Sequence, residues 1–349
     1  MLPSILLNRR QCIIEALATT GWIANGRWLL AAPTGISNLD VGDSVAGGLS
    51  WLASQQSQLG HWNHEYYPTA ITALAGMAFV CSGSTTVQGE YAKNIRNCVD
   101  FLMTCCRPNG LIGNPERDDR YTYGHGFAML FLSQVLGEEE DADRRQELSE
   151  VLDRAVAFSV SAQTKSGGWG YVSGEVDDFD EGSTTVTQVQ GLRGCRNAGI
   201  VVPKESIEKA IQYIYDCKNP DGGISYSSGT KGGSRAPITA AALAALYNAG
   251  DYESEHIPDM WNYCRRNLND LNGDQYGHWH YTYLYYSQVV YRQGPKEWNP
   301  FRDKLYPYII EQQQHNGSWS DSDIGDVYAT ACNLIILQLE LGLLPIFQR

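Results

Sequence analysis

The densest set of chemistry-bearing residues is EVDDFDEG at 175–182, where Glu175, Asp177, Asp178, Asp180 and Glu181 crowd together. Ionised carboxylates this close repel one another, so one can be held neutral and serve as an acid. Asp178 and Asp180 are the candidate acids on that ground. The competing reading is a solvated loop whose charge favours the helix start that follows it. Histidines form a second set: His61 and His64 in GHWNH, His278 and His280 in GHWH, and His125 in TYGHGF, where Tyr121 and Tyr123 precede it. His125 has glycine on both sides, so its ring is expected to be accessible, and with the tyrosines it could act as acid or base. A metal site needs three or more donors in defined geometry, which a sequence does not show, and the histidines read as turn and core groups; no metal and no other cofactor is expected.

The elements that must position these residues show in a repeat. Gly60, Gly110, Gly167, Gly222, Gly277 and Gly317 are each followed, two residues on, by Trp or Ile, and nine residues before them stand Trp51, Phe101, Phe158, Tyr213, Leu268 and Tyr308. Internal repetition outranks local signals. After each anchor comes an apolar segment ending at Gly83, Gly137, Gly199, Gly250, Gly294 or Gly342. A glycine there predicts a left-handed helix end, and Pro68 and Pro237 suit a first helical turn. Before the anchors lie amphipathic stretches such as KNIRNCVDFLMTCC, apolar at three-to-four spacing. A segment apolar all round must be buried all round. Six such helices inside six amphipathic ones predict an all-α fold, an α/α toroid of six helical hairpins.

At 56–62, 163–169 and 313–319 the anchor extends to Gln-x-x-x-Gly-x-Trp. This spacing resembles the QW repeat of squalene–hopene and oxidosqualene cyclases, and the wider pattern resembles the repeat of protein prenyltransferase β subunits. Gln and Trp read as staples of a tight turn, the amide pairing with backbone groups and the ring covering a helix end. The resemblance implies a toroid whose inner helices start at one mouth. Alignment by the final glycines places Thr69, Tyr123, Thr185, Ala236, His280 and Tyr328 at one level, with Tyr67, Tyr121, His125, Tyr281, Tyr283 and Asp326 close by. Tyr67, Thr69, Tyr121, Tyr123, Thr185, His280, Tyr283, Asp326 and Tyr328 are therefore the expected cavity lining, and Asp178, Asp180 and His125 the expected catalytic groups. The cyclases' Asp-x-Asp-Asp motif is missing. The last inner segment, DVYATAC, matches the prenyltransferase zinc pattern at Asp326 and Cys332, but Ala329 stands at the histidine position and no Asp-x-Cys occurs. Protein prenylation is rejected for want of donors.

A formal charge of −13 with only scattered Lys and Arg argues against nucleic acid as a partner. Nine cysteines without CxxC pairs read as buried thiols. Residues 1–35 carry an Arg pair before an interrupted apolar stretch, which reads either as a degenerate twin-arginine export signal or as an amphipathic helix; export and a cytoplasmic location both stay open. Residues 36–349 are expected to form the toroid. The function expected is a terpenoid-cyclase-like protein that holds an isoprenoid or other apolar ligand in a central cavity, with protonation-initiated cyclisation as the activity and peripheral membrane contact as one route to the ligand. A non-catalytic ligand-binding or scaffold protein, and a carbohydrate-active toroid enzyme using Tyr and His, are the alternatives. The oligomeric state is not legible.

Overall fold

The computed structural model describes residues 38–64, 66–230, 232–271, 277–344 and 346, so the N-terminal segment read as a signal or amphipathic helix lies outside the described residues. Among the described residues, twelve α-helices alternate between two roles. The inner ones are α2 (Pro68–Cys81), α4 (Tyr121–Leu136), α6 (Gly182–Asn197), α8 (Ala236–Ala249), α10 (Trp279–Arg292) and α12 (Asp326–Leu337). Outside them lie α1 (Asn38–Ser54), α3 (Ala92–Thr104), α5 (Ala142–Ser161), α7 (Lys204–Asp216), α9 (Ile257–Leu268) and α11 (Pro295–Glu311). Burial follows the pattern of apolar residues: α2 buries every residue from Thr69 to Cys81, whereas α3 buries one stripe, Ile95, Cys98, Val99 and Leu102. The inner helices pack in chain order, and α12 packs back on α2, which closes the ring. Among the described residues no helix is long and apolar enough to cross a membrane.

The three Gln-x-x-x-Gly-x-Trp turns share one geometry. Gln56 Nε2 donates to Gly60 O (2.9 Å) and to Asn94 O of the next outer helix (3.0 Å). Gln163 does the same to Gly167 and Ser206, and Gln313 to Gly317 and Ser44. The last of these ties the final turn to the first outer helix. Each tryptophan is buried, its indole N–H donating to a carbonyl at the end of the preceding outer helix: Trp62 to Leu52, Trp169 to Ser159, Trp319 to Ile309. At Gly167 the turn has φ +94°, and a Cβ would stand 2.6 Å from Lys209 O; only glycine fits this backbone so close to the next helix.

Two expectations need correction. Gly137 does not end its helix left-handed: its φ is −64°, and the N–H of Glu138 carries the turn on to Val135 O. The fifth anchor also departs from the others, because Trp279 is itself the first residue of α10 and stacks on Tyr308 (5.2 Å between ring centres). Close approach shapes the ring on one side. At Gly126 of α4 a Cβ would lie 2.6 Å from Thr187 Oγ1, and at Gly191 of α6 it would lie 2.7 Å from Gly126 O. Among the described cysteines, Cys98, Cys195, Cys264 and Cys332 are fully buried.

Candidate functional site

The inner helices begin around one cavity of about 720 Å³. Its floor is apolar, formed by Ala70, Ile71 and Leu74 of α2, Phe127 of α4, Ile238 of α8 and Leu284 of α10. Six tyrosines make its wall: Tyr67, Tyr123, Tyr171, Tyr226, Tyr281 and Tyr328. Ser183, His278 and two arginines, Arg120 and Arg235, add the polar groups, and none of the described lining residues is a carboxylate.

The mouth is built twice from the same parts. Tyr171 and Tyr226 each follow a turn glycine by four residues, and their carbonyls accept the N–H of Thr122 and Gly182 at the start of the preceding inner helix. Those bonds satisfy helix-end donors and fix the two rings, whose hydroxyls hydrogen-bond to each other. Arg120, just before α4, lies with its guanidinium 4.5 Å from the Tyr171 ring centre, and Arg235, just before α8, lies 4.6 Å from that of Tyr226. A cation over an aromatic face is held there electrostatically. Both arginines are exposed, and neither forms an ion pair with a carboxylate among the described residues. Beside Arg120, Asp118 is buried, accepts the Arg120 N–H (2.9 Å) and has a second oxygen without a hydrogen bond. Burial pushes its carboxyl up to about 6.

Of the residues expected at the cavity, Tyr67, Tyr123 and Tyr328 line it. The others are elsewhere. Thr69 is buried in α2 against Gly124 of α4. The hydroxyl of Tyr121 accepts the Ser173 N–H, and that of Tyr283 donates to Leu268 O. Thr185 accepts the Trp169 N–H. His280 sits beside the lining, 3.8 Å from the Asp321 carboxylate, and Asp326 is exposed in the first turn of α12, where a negative charge suits the helix dipole.

The three residues expected to be catalytic do not line the cavity either. Asp178 is exposed and pairs with Lys165, accepting its backbone N–H (2.9 Å) and lying 3.3 Å from Nζ; these bonds hold its carboxyl below the ordinary value. Asp180 is buried between two loops, accepting from the Ser166 hydroxyl (2.6 Å) and from both N–H and hydroxyl of Ser228. His125 has no exposed surface. Its Nδ1 accepts the Ile112 N–H and its Nε2 donates to Ala155 O, both at 3.1 Å. In three of the other turns a threonine takes the Nδ1 place: Thr185 for Trp169, Thr239 for Ile224 and Thr330 for Trp319. Burial lowers the His125 pKa to about 4. Among the described residues no group of His, Cys, Asp or Glu gathers to hold a metal ion.

Sequence reasoning named His278 only among the candidate histidines and missed Arg120, Tyr171, Ser183, Tyr226 and Arg235. A signal was present for four of them: Tyr171 and Tyr226 share one register after Gly167 and Gly222, and the arginines directly precede inner helices. Such positions look like ordinary loop until the helix starts are known to converge.

Among solved structures, the GH76A alpha-1,6-mannanase of Salegentibacter sp. HEL1_6 superposes with a TM-score of 0.62 at 10% identity, covering 87% of this chain and 99% of that one. A D-mannose isomerase gives 0.61 at 10% identity, with 88% and 99% covered. The type II terpene cyclase MstE of Scytonema gives 0.37 at 14% identity, with 88% and 100% covered. At such identities the first two are likenesses of fold. No curated protein matches the chain in sequence. The family model of the prenyltransferase alpha-alpha toroid domain matches residues 15–177 and 185–341, most of the chain, and the chain belongs to that family.

Proposed function

We propose that the toroid binds an isoprenoid or similar apolar chain in its central cavity and holds an anionic end of that ligand on Arg120 and Arg235. The cavity itself carries this reading: about 720 Å³ with an apolar floor, tyrosine walls and two guanidiniums at the mouth. That volume lies within the range of ligand pockets, about 300–1,000 Å³. Each methylene buried on the floor contributes up to about 0.8 kcal/mol, so affinity should rise with chain length until the floor is covered. Tyr66 and Phe179, exposed beside Tyr67 and Tyr226, favour delivery of such a ligand from a membrane surface. Hydrolysis of a glycan by paired carboxylates is disfavoured, because the described lining offers no carboxylate.

Titration calorimetry with farnesyl diphosphate, farnesol and mannotriose tests the proposal. Farnesyl diphosphate is expected to bind more tightly than farnesol, and the Arg120→Ala, Arg235→Ala double variant to lose that advantage, at least ten-fold, since a hydrogen bond to a charged group is worth about 1.5–3 kcal/mol. Leu74→Trp, filling the floor, should abolish binding of both. Binding of mannotriose with neither prenyl compound bound would overturn the reading.

A further inference from the structure

Of the carboxylates at 175–181, Glu181 alone reaches the cavity wall, and it does so behind other groups. Its side chain has no exposed surface. Standing just before α6, it accepts the backbone N–H of Ser183 (2.9 Å) and of Thr184 (2.6 Å) and the hydroxyls of both residues. Capping a helix accounts for the backbone bonds. It does not account for what the Ser183 hydroxyl does next, because that group lines the cavity. Its single proton goes to Glu181, so its oxygen accepts from the hydroxyl of Tyr123 on α4. The Tyr281 hydroxyl on α10 lies beside the same pair, buried and without a hydrogen bond of normal geometry. A buried carboxylate thus stands one hydroxyl behind the cavity surface, in front of two tyrosines that also line it. Burial above all, with the Glu181 charge adding to it, holds Tyr123 and Tyr281 protonated far above the ordinary tyrosine range.

We propose that the cavity holds a positively charged centre of an apolar chain opposite Tyr123, Tyr281 and Ser183, with Glu181 as its fixed counter-charge. This rests on the apolar-ligand reading above and narrows it to chains bearing a quaternary ammonium. Such a centre donates no hydrogen bond, so it is stabilised by aromatic faces and by a nearby charge already in place. Ser183 keeps the carboxylate from direct contact, and Glu181 therefore acts as a positioning residue through its field. The remaining titratable and charged groups around this point are Tyr171 and Tyr226 in the turns, Tyr285 on α10, Tyr328 on α12, and Arg120, Arg235 and His278 at the cavity. With an anionic ligand end on the arginines, their charge is met at the mouth and the inner site is left to Glu181.

The test compares farnesyl trimethylammonium, whose charge is independent of pH, with its uncharged tert-butyl isostere, by titration calorimetry on the full chain. The wild type is expected to prefer the ammonium at least ten-fold at pH 8, and Glu181→Gln to lose the preference while binding the isostere unchanged. In the wild type the preference should fall on acidification, starting above the ordinary carboxylate range because burial raises the Glu181 pKa, and His278→Asn should leave that fall in place. If Glu181→Gln does not fold, the fall in the wild type and in His278→Asn decides. Equal affinity for the two probes at pH 8, or a preference that ignores Glu181 and pH, would overturn the proposal. Binding of neither probe would sink the apolar-ligand reading itself.

Discussion

His125 and Asp118 pull stability in opposite directions with pH, and the sign of each follows from its burial. The folded pKa of His125, about 4, lies below the ordinary value of about 6.5, so the unfolded chain binds the proton first. Its contribution is complete above about pH 6.5 and is lost as pH falls toward 4, about 3 kcal/mol in all. Asp118, raised to about 6, does the reverse: its contribution is complete below about pH 4 and is lost as pH rises through 6. Asp118→Asn should therefore become more acid-sensitive than the wild type in urea unfolding between pH 7 and 4.5. Adding His125→Thr should flatten the profile again; an unchanged slope would show that His125 is not the group responsible. The sequence invited a different role for this histidine, since flanking glycines suggest access. In the structure Gly124 and Gly126 serve packing instead: a Cβ at the first would meet Thr69 at 2.9 Å and at the second Thr187 at 2.6 Å. Glycine leaves room for a ligand and for a neighbouring helix by the same means, and one sequence cannot tell them apart.

Helices and turns were legible because their physics is local and periodic. Burial stripes, proline at helix starts and the Gln–Gly–Trp turns all lie where spacing places them. The acidic loop was not legible, because its carboxylates sort by contacts across the fold: Asp178 goes to Lys165, Asp180 to Ser166 and Ser228, and only Glu181 faces Ser183. Turn glycines offer a graded test of what the local pattern demands. Gly167 and Gly199 share φ +94°, but a Cβ at Gly167 strikes the Lys209 carbonyl, whereas none lies within 4 Å of one at Gly199. Gly199→Ala should cost only the left-handed backbone term, about 1–2 kcal/mol. Gly167→Ala should cost distinctly more, about 3 kcal/mol or above, when the two are compared by urea denaturation. Equal losses would mean that the close approach contributes nothing.

At the level of the whole molecule, closure rests on α12 packing against α2 and on Gln313 reaching Ser44. If the ring has no weaker seam, Gln56→Ala, Gln163→Ala and Gln313→Ala should destabilise alike, each by roughly 1–3 kcal/mol for two carbonyls left without their donor. Denaturant midpoints of the three variants check this, and a near-neutral Gln313→Ala would indicate that the first and last units are coupled only loosely. The ring was predictable from counting apolar segments. The lining of its chamber was legible only in part, because it is fixed by which helix faces converge, and Arg120, Tyr171 and Tyr226 come from three separate loops.

The glycine seam between α4 and α6 reaches further than its own contact. In a closed circle of six rods, the bore depends on how near each pair of neighbours stands. A methyl group added at Gly126 or Gly191 would wedge that pair apart and reshape the chamber from behind its wall. The shape of the chamber is therefore set partly by atoms that do not line it.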